Sequence, residues 1–344
     1  MRCCVNGSLD PDAVSPPSAA ARDFHRALPG YAPTPLRPLP ELAAGLGVAS
    51  VSVKDESSRL GLPAFKVLGA SWAVELALQE DAGIHMLVAA SAGNHGRAVA
   101  HVAARRGLRC SVFLPGRTVA VRREAIAAEG AEVIVVDGTY EDAVARAEET
   151  AAGDGALLVA DVGDSPAAHA VIDGYATLFD EVAEQSAFDL VLVPVGVGSL
   201  AAAAARFAAA AGARLVAVEP VTAACLTASL AAGRPVAVAT PGTSMAGLDC
   251  AEVSAAAWPD LRAGLAGAVT VDDEETRQAM RLLAAAGLEI GESGAASTAG
   301  LHALATDPAC ADLREAAGLG RGARVLLVAT EGPTDPVSWH ALFE

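Results

Sequence analysis

Leu190-Val-Leu-Val-Pro-Val-Gly-Val-Gly-Ser-Leu200 passes from an unbroken apolar run through two glycines into the alanine-rich stretch Ala201–Ala205. A short apolar run without polar alternation fits a strand buried on both faces, the condition of a parallel sheet. Glycines followed by strong helix formers then read as a strand-to-helix turn. The same alternation recurs along the chain. Strands are expected at Val51–Lys54, Met86–Ala90, Arg109–Leu114, Glu132–Val136, Leu157–Ala160, Leu190–Val195, Leu215–Val218, Ala268–Val271 and Val325–Val328. Helical patterns such as Gly96–Arg106 and Glu141–Ala151 lie between them, which is the signature of α/β architecture with mainly parallel sheets covered by helices. So many strands exceed one small sheet, so two α/β domains are expected. Residues 1–30 show no periodicity and read as a loosely held, partly disordered arm.

With 344 residues and 53% hydrophobic content, the chain can bury one large core or two linked ones. A formal charge of −17 repels nucleic acid and anionic membrane surfaces, so neither is an expected partner. No apolar stretch reaches the roughly 20 residues of a membrane span. The N-terminus, with Asp10, Asp12, Pro16 and Pro17, lacks the regions of a signal peptide, so a cytoplasmic location is expected. Cys3, Cys4, Cys110, Cys225, Cys250 and Cys310 form no paired metal motif; they read as free thiols, and no metal is expected. Lys54 and Lys66 are the only lysines, so any lysine chemistry has two candidates.

Four segments carry chemistry. The first runs from Lys54-Asp-Glu through a polar loop to Ala64-Phe-Lys66, where a helix is expected to begin near Phe65. In a first helical turn the dipole disfavours an ammonium by about 0.3–1 kcal/mol, which biases Lys66 toward the neutral, nucleophilic amine. Taken alone, the bland alternative of a solvated lysine at a helix start is preferable. Lys54, beside two acids in a β-run, reads as a surface or ion-paired lysine. The second segment, Ser91-Ala92-Gly93-Asn94-His95-Gly96, joins a strand to a helix, and its free amide groups suit a substrate carboxylate. Ser, Asn and Gly also make ordinary turns, and His95 alone reads as packing or capping.

The third, Gly196-Val197-Gly198-Ser199, reads as a phosphate cradle at a helix start. Extended to Ala201 it also fits the loose G-x-G-x-x-A dinucleotide pattern, with Glu219 closing the next strand about twenty residues on. A nicotinamide oxidoreductase is therefore the alternative from another class, although it leaves Lys66 and the Asn94 turn without a role. The fourth, Thr330-Glu-Gly-Pro-Thr-Asp335, follows the last strand at the end where open α/β sheets bind ligands.

Together these segments resemble the fold-type II pyridoxal-phosphate enzymes, the group of tryptophan synthase β, the serine and threonine dehydratases and the cysteine synthases. Within it the chain is most similar to the diaminopropionate ammonia-lyases. The likeness is carried by Lys54 through Gly69, Gly93-Asn-His-Gly-Arg97, Asp173-Gly-Tyr-Ala-Thr177, Gly196-Val-Gly198, Met245-Ala-Gly-Leu248, Gly291-Glu-Ser-Gly294 and Thr330 through Asp335.

The resemblance implies pyridoxal 5′-phosphate as cofactor, Lys66 as its Schiff-base lysine, and Asn94 bonded to its phenolic oxygen. It places the phosphate on Gly196, Val197, Gly198 and Ser199, and the Thr330 hydroxyl at the pyridine nitrogen. Ser91, Ala92, Gly93 and His95 would meet the substrate, with Asp161 as an active-site aspartate. It further implies a large cofactor-binding domain over 31–84 and 161–344, a small β/α domain inserted at 85–160, and a homodimer. The implied reaction is β-elimination from a small L-amino acid, with 2,3-diaminopropionate giving pyruvate and ammonia; dehydration of serine or threonine and β-replacement are the alternatives. The chain departs from the family at Ala92, where the ammonia-lyases usually carry aspartate, and in the loop after Asp161.

Overall fold

The computed structural model describes residues 1–343. Its strands and helices begin with β1 (Cys3–Val5), α1 (Ala20–Arg26), β2 (Leu36–Pro38), α2 (Pro40–Leu46), β3 (Ser50–Asp55), α3 (Val67–Glu80), β4 (Met86–Ala89) and α4 (Asn94–Arg106). They continue with β5 (Arg109–Pro115), α5 (Ala120–Ala128), β6 (Glu132–Val136), α6 (Tyr140–Ala151), β7 (Ala156–Leu158), α7 (Pro166–Gln185), β8 (Leu190–Pro194), α8 (Ser199–Ala211), β9 (Arg214–Pro220) and α9 (Cys225–Ala232). The last are α10 (Trp258–Gly264), β10 (Gly267–Val271), α11 (Asp273–Ala285), α12 (Glu292–Thr306), α13 (Ala311–Ala316), β11 (Arg324–Ala329) and α14 (Pro336–His340). Two compact units divide the chain, one of residues 1–65 with 176 onward and one of residues 66–175.

The larger unit is built on a seven-stranded sheet in the order β1-β10-β9-β8-β11-β3-β2. Its five inner strands are parallel, and the edge strands β1 and β2 are antiparallel to their neighbours. Leu190, Leu192, Val216, Val218, Val325 and Leu327 are fully buried, as strands covered on both faces require. Helix α12 packs on β8, β9, β10 and β11 and is made of small residues for that reason. A Cβ on Gly294 would stand 2.7 Å from the Glu331 carbonyl oxygen. The smaller unit has a four-stranded, all-parallel sheet in the order β6-β5-β4-β7.

Two sequence expectations change, and of the two readings of Lys54 the ion-paired one holds. The N-terminal segment is held in place: β1 pairs with β10, Arg2 donates from Nη1 to the Thr270 carbonyl at 2.6 Å, and the Arg2 guanidinium pairs with Glu275 and Asp307. Cys3 and Cys310 are not free thiols but form a disulfide with Cα atoms 5.3 Å apart; their separation of 307 residues leaves no local signal. Lys54 is ion-paired but not at the surface. It is fully buried, donating to Glu181 Oε2 and to the Thr34 carbonyl, each at 2.7 Å. Arg59 joins the same group by pairing with Glu181 and Glu56, both at 2.6 Å. Burial lowers the Lys54 ammonium, while for Glu181 burial is outweighed by Arg59 and Lys54, which hold its carboxyl down at about 2.

Among the described residues, no helix is long and apolar enough to cross a membrane. No group of His, Cys, Asp and Glu among them could hold a metal ion.

Candidate active site

In the unit of residues 66–175, Lys66 is the cap residue immediately before α3, one position outside the helix that the sequence placed it in. Its placement is set by close backbone packing. A Cβ on Gly174 in α7 would stand 2.6 Å from the Leu68 carbonyl oxygen and 2.8 Å from Gly69 Cα, so α3 and α7 meet through glycine. Phe65, the preceding residue, belongs to the other unit, where its amide donates to the Thr330 carbonyl at 3.4 Å.

The Lys66 ammonium donates to Asp161 Oδ2 at 2.8 Å, with side chains 19% and 17% exposed, so the pair is largely shielded but reachable. Asp161 lies beyond the end of β7, which stops at Leu158, two residues short of the expected strand. Strand β4 is the parallel neighbour of β7 and leads into Ser91, so the Ser91–Gly96 turn and Asp161 leave the sheet from adjacent carboxyl ends. His95 Nδ1 is 3.7 Å from Asp161 Oδ2, and its Nε2 bonds the Val159 carbonyl at 2.7 Å. A carbonyl only accepts, so Nε2 carries the proton, and Nδ1 carries one only in the imidazolium. Burial alone would raise the Asp161 carboxyl, but the His95 and Lys66 charges hold it well below the usual carboxylate range. Lys66, His95 and Asp161 are therefore brought together.

Ser91 and Ala92 are half-buried before α4; Gly93 is its cap, and Asn94 is its first residue. The steric demand falls on Gly96, where a Cβ would collide with the Ser91 carbonyl oxygen, whereas at Gly93 it would meet only Ser91 Oγ at 4.0 Å. The amide of Gly93 donates to that Oγ at 3.3 Å, an ordinary turn contact.

In the larger unit, Gly196, Val197, Gly198 and Ser199 join β8 to the 13-residue α8. Gly198 has a φ of 98°, a left-handed conformation that favours glycine. A Cβ on Gly196 would stand 2.8 Å from the Gly247 carbonyl oxygen, so the loop is backed closely and offers backbone rather than side chains. Amides at the start of α8 suit a phosphate. Strand β11 is the parallel neighbour of β8, and the buried Thr330 follows it, so loop and threonine occupy adjacent carboxyl ends of one sheet.

Glu219 does not serve the dinucleotide alternative. Fully buried, it accepts from the Leu226 and Thr227 amides, both at 2.8 Å, and from Thr227 Oγ1 at 2.7 Å, capping α9. Burial pushes its carboxyl up to about 7 against those hydrogen bonds. An acid so engaged cannot turn to a ribose.

Residues 27–331 match the family described as pyridoxal-phosphate dependent enzyme. The chain belongs to the pyridoxal-phosphate dependent enzymes. It is 35% identical to the diaminopropionate ammonia-lyase of Salmonella typhimurium over 91% of this chain and 88% of that protein. It is similar to the crystal structure of the Escherichia coli diaminopropionate ammonia-lyase in complex with an aminoacrylate-PLP azomethine reaction intermediate. There the TM-score is 0.89, with 31% identity over 99% of this chain and 96% of that one. It is also 32% identical to a biosynthetic L-threonine dehydratase of S. typhimurium, over 78% of this chain and 52% of that protein.

The residues fit the family's cofactor. Of the two lysines, Lys54 is buried and committed to Glu181 and Thr34, and Lys66 is the one whose surroundings would let it bond the cofactor. The Gly196–Ser199 turn has the bare backbone and left-handed glycine of a phosphate cradle. Tyr175, which belongs to the Asp173–Thr177 stretch of the family likeness but has no role of its own there, lies with its ring centroid 5.8 Å from Lys66 Nζ. The available signal was the spacing of glycines: Gly69 three residues after Lys66, and Gly174 just before Tyr175.

Proposed function

We propose that this protein is a cytoplasmic, homodimeric lyase that eliminates the β-substituent of a small L-amino acid, above all 2,3-diaminopropionate, which with one water gives pyruvate and two molecules of ammonia. The carrying observation is the Lys66–Asp161 pair: the one lysine able to bond the cofactor stands beside an ionised, shielded carboxylate. Pyridoxal phosphate supplies an electron sink for charge developing at the substrate Cα. Lys66 Nζ takes the Cα proton, and Asp161 steadies the resulting ammonium. The amides of Gly196, Val197, Gly198 and Ser199 hold the phosphate, and Asn94 bonds the phenolic oxygen. Ser91, Ala92, Gly93 and His95 receive the substrate. The Thr330 hydroxyl would meet the pyridine nitrogen and, being neutral, would add no charge to it.

The likeness to threonine dehydratase, together with Ala92 in place of the family's usual aspartate, supports a second reading in which the leaving group is the hydroxyl of serine or threonine. Mass spectrometry of products from a panel of β-substituted L-amino acids separates the two. Pyruvate and ammonia from diaminopropionate, with hydroxy amino acids turned over poorly, is the expected result. Borohydride should fix one pyridoxyl group on the Lys66 peptide, and Lys66→Ala should lower turnover by roughly 10²–10⁴-fold through loss of the base alone. Labelling on Lys54, or no elimination from any member of the panel, would sink the proposal.

A further inference from the structure

The reaction roles above leave Tyr175 unused, although its ring lies beside Lys66. Tyr175 is fully buried. Its ring fills the space that Gly69 leaves open: a Cβ there would stand 2.6 Å from Cε1 and 2.8 Å from Cζ. Gly69 lies three residues from Lys66, a separation at which helical positions are neighbours. On the other side of the ring's attachment, Gly174 lets the α7 backbone rest on Leu68 and Gly69. The ring is thus wedged one helical turn along α3, with its centroid 5.8 Å from Lys66 Nζ, inside the distance at which an ammonium interacts with an aromatic ring.

A base that takes up a proton and later gives it back needs a partner suited to both of its states. Asp161 is suited to one only, because a carboxylate accepts hydrogen bonds and favours the ammonium. A phenol suits both: its oxygen accepts from an ammonium, and its O–H donates to a free amine. Burial pushes the Tyr175 phenol up to about 12, against the pull of Lys66, so it keeps its proton near neutrality.

We propose that Tyr175 is the positioning residue for Lys66, its ring fixing where the amine sits and its hydroxyl staying with that amine as the proton comes and goes. The inference rests on Lys66 being the base of the proposed elimination. It assigns Tyr175 no contact with the substrate.

Tyr175→Phe, which keeps the ring and removes the hydroxyl, is the test. In the full-length protein stripped of cofactor, acetic anhydride labelling of Lys66 is followed by mass spectrometry against pH, with the α-amine of the exposed Met1 as internal reference. The labelling profile of Lys66 should move to lower pH, because the ammonium loses an acceptor and faces an apolar ring. In the holoenzyme kcat for diaminopropionate should fall about 10–100-fold with KM within about threefold, as for a base held in the wrong place. Tyr175→Leu, which also removes the ring, should lower kcat further. A Lys66 profile and kcat unchanged in Tyr175→Phe would overturn the hydroxyl's role, and equal losses in the two variants would overturn the ring's. A displaced labelling profile in a protein that eliminates nothing from any substrate would support the positioning of Lys66 while refuting the lyase.

Discussion

Replacing Gly174 by alanine tests whether close backbone contact places Lys66, because the structure fixes the sign of the effect. Glycine inside a helix costs about 0.5–1 kcal/mol relative to alanine, so Gly→Ala in open space should stabilise by that amount. Gly45 in α2 meets this condition, with nothing within 4 Å of its ideal Cβ. At Gly174 the new Cβ would face the Leu68 carbonyl oxygen at 2.6 Å, Gly69 Cα at 2.8 Å and the Leu68 carbonyl carbon at 3.1 Å. All three are backbone atoms, which no rotamer change can clear, so α3 and α7 must part. Overpacking of this kind costs about 1–3 kcal/mol. After the gain in helix propensity, Gly174→Ala should be about 0.5–2 kcal/mol less stable than wild type, while Gly45→Ala is slightly more stable. Urea titration of both variants reads the difference. Since Leu68 and Gly69 lie within three residues of Lys66, kcat should also fall in Gly174→Ala, by up to about a hundredfold for a displacement near 1 Å. A Gly174→Ala protein as stable and as active as Gly45→Ala would refute the claim that this contact places the lysine.

The buried Lys54–Glu181–Arg59 group predicts a pH dependence of stability. The folded-state value of Glu181 lies below its ordinary 4.5, so the unfolded chain binds the proton more tightly, and stability present above pH 4.5 is lost as the pH falls toward about 2. That loss should be about 3 kcal/mol, read as a falling urea midpoint between pH 5 and pH 2; a flat profile would count against the network. The second prediction concerns stereochemistry: the ionisable groups gathered at the proposed base are Lys66, His95, Asp161 and Tyr175, burial keeps the Tyr175 phenol protonated, and Ala92 adds none. L-Diaminopropionate should be consumed while D-diaminopropionate and D-serine remain inert and recovered substrate keeps its configuration by chiral chromatography. Comparable rates on both enantiomers, surviving in Asp161→Asn, would show a second base elsewhere.

Nine of the strands could be read from the sequence as short apolar, β-branched runs; strands buried on both faces carry this most plainly, as in Leu190-Val-Leu-Val, while the edge strands β6 and β7 keep the run although they are only partly buried. Strands β1 and β2 could not. Each has three residues and lies at a sheet edge, and β2 contains Arg37 and Pro38. Such strands exist because a neighbour supplies hydrogen-bond partners, and nothing in their own pattern announces it. The same reason hid the burial of Lys54. Its local neighbours Asp55 and Glu56 suggest an exposed charge, but the carboxylate that makes burial tolerable is Glu181, 127 residues away.

At the candidate site, residue type could be read from the sequence more readily than geometry. The lysine stood out because the chain has only two, and the turn at Ser91–Gly96 because its position after a strand is chemically meaningful. What each glycine was for could not be read from that spacing. Gly93 and Gly96 look equivalent in the motif, yet only Gly96 is sterically required, by the Ser91 carbonyl oxygen. Gly69 and Gly174 belong to different segments of the sequence, yet each leaves out a side chain where α3 and α7 meet: Tyr175 sits in the space freed by Gly69, and the backbone of Leu68 and Gly69 in that freed by Gly174. Glu219 shows the converse: its distance from Gly196–Gly198 satisfies a ribose-binding pattern, but three hydrogen-bond donors near the start of α9 have already engaged it. A spacing rule constrains where a side chain begins, and the competition for its polar atoms decides what it does. For that reason the cofactor assignment rests on what occupies Lys54 as much as on what is free to happen at Lys66.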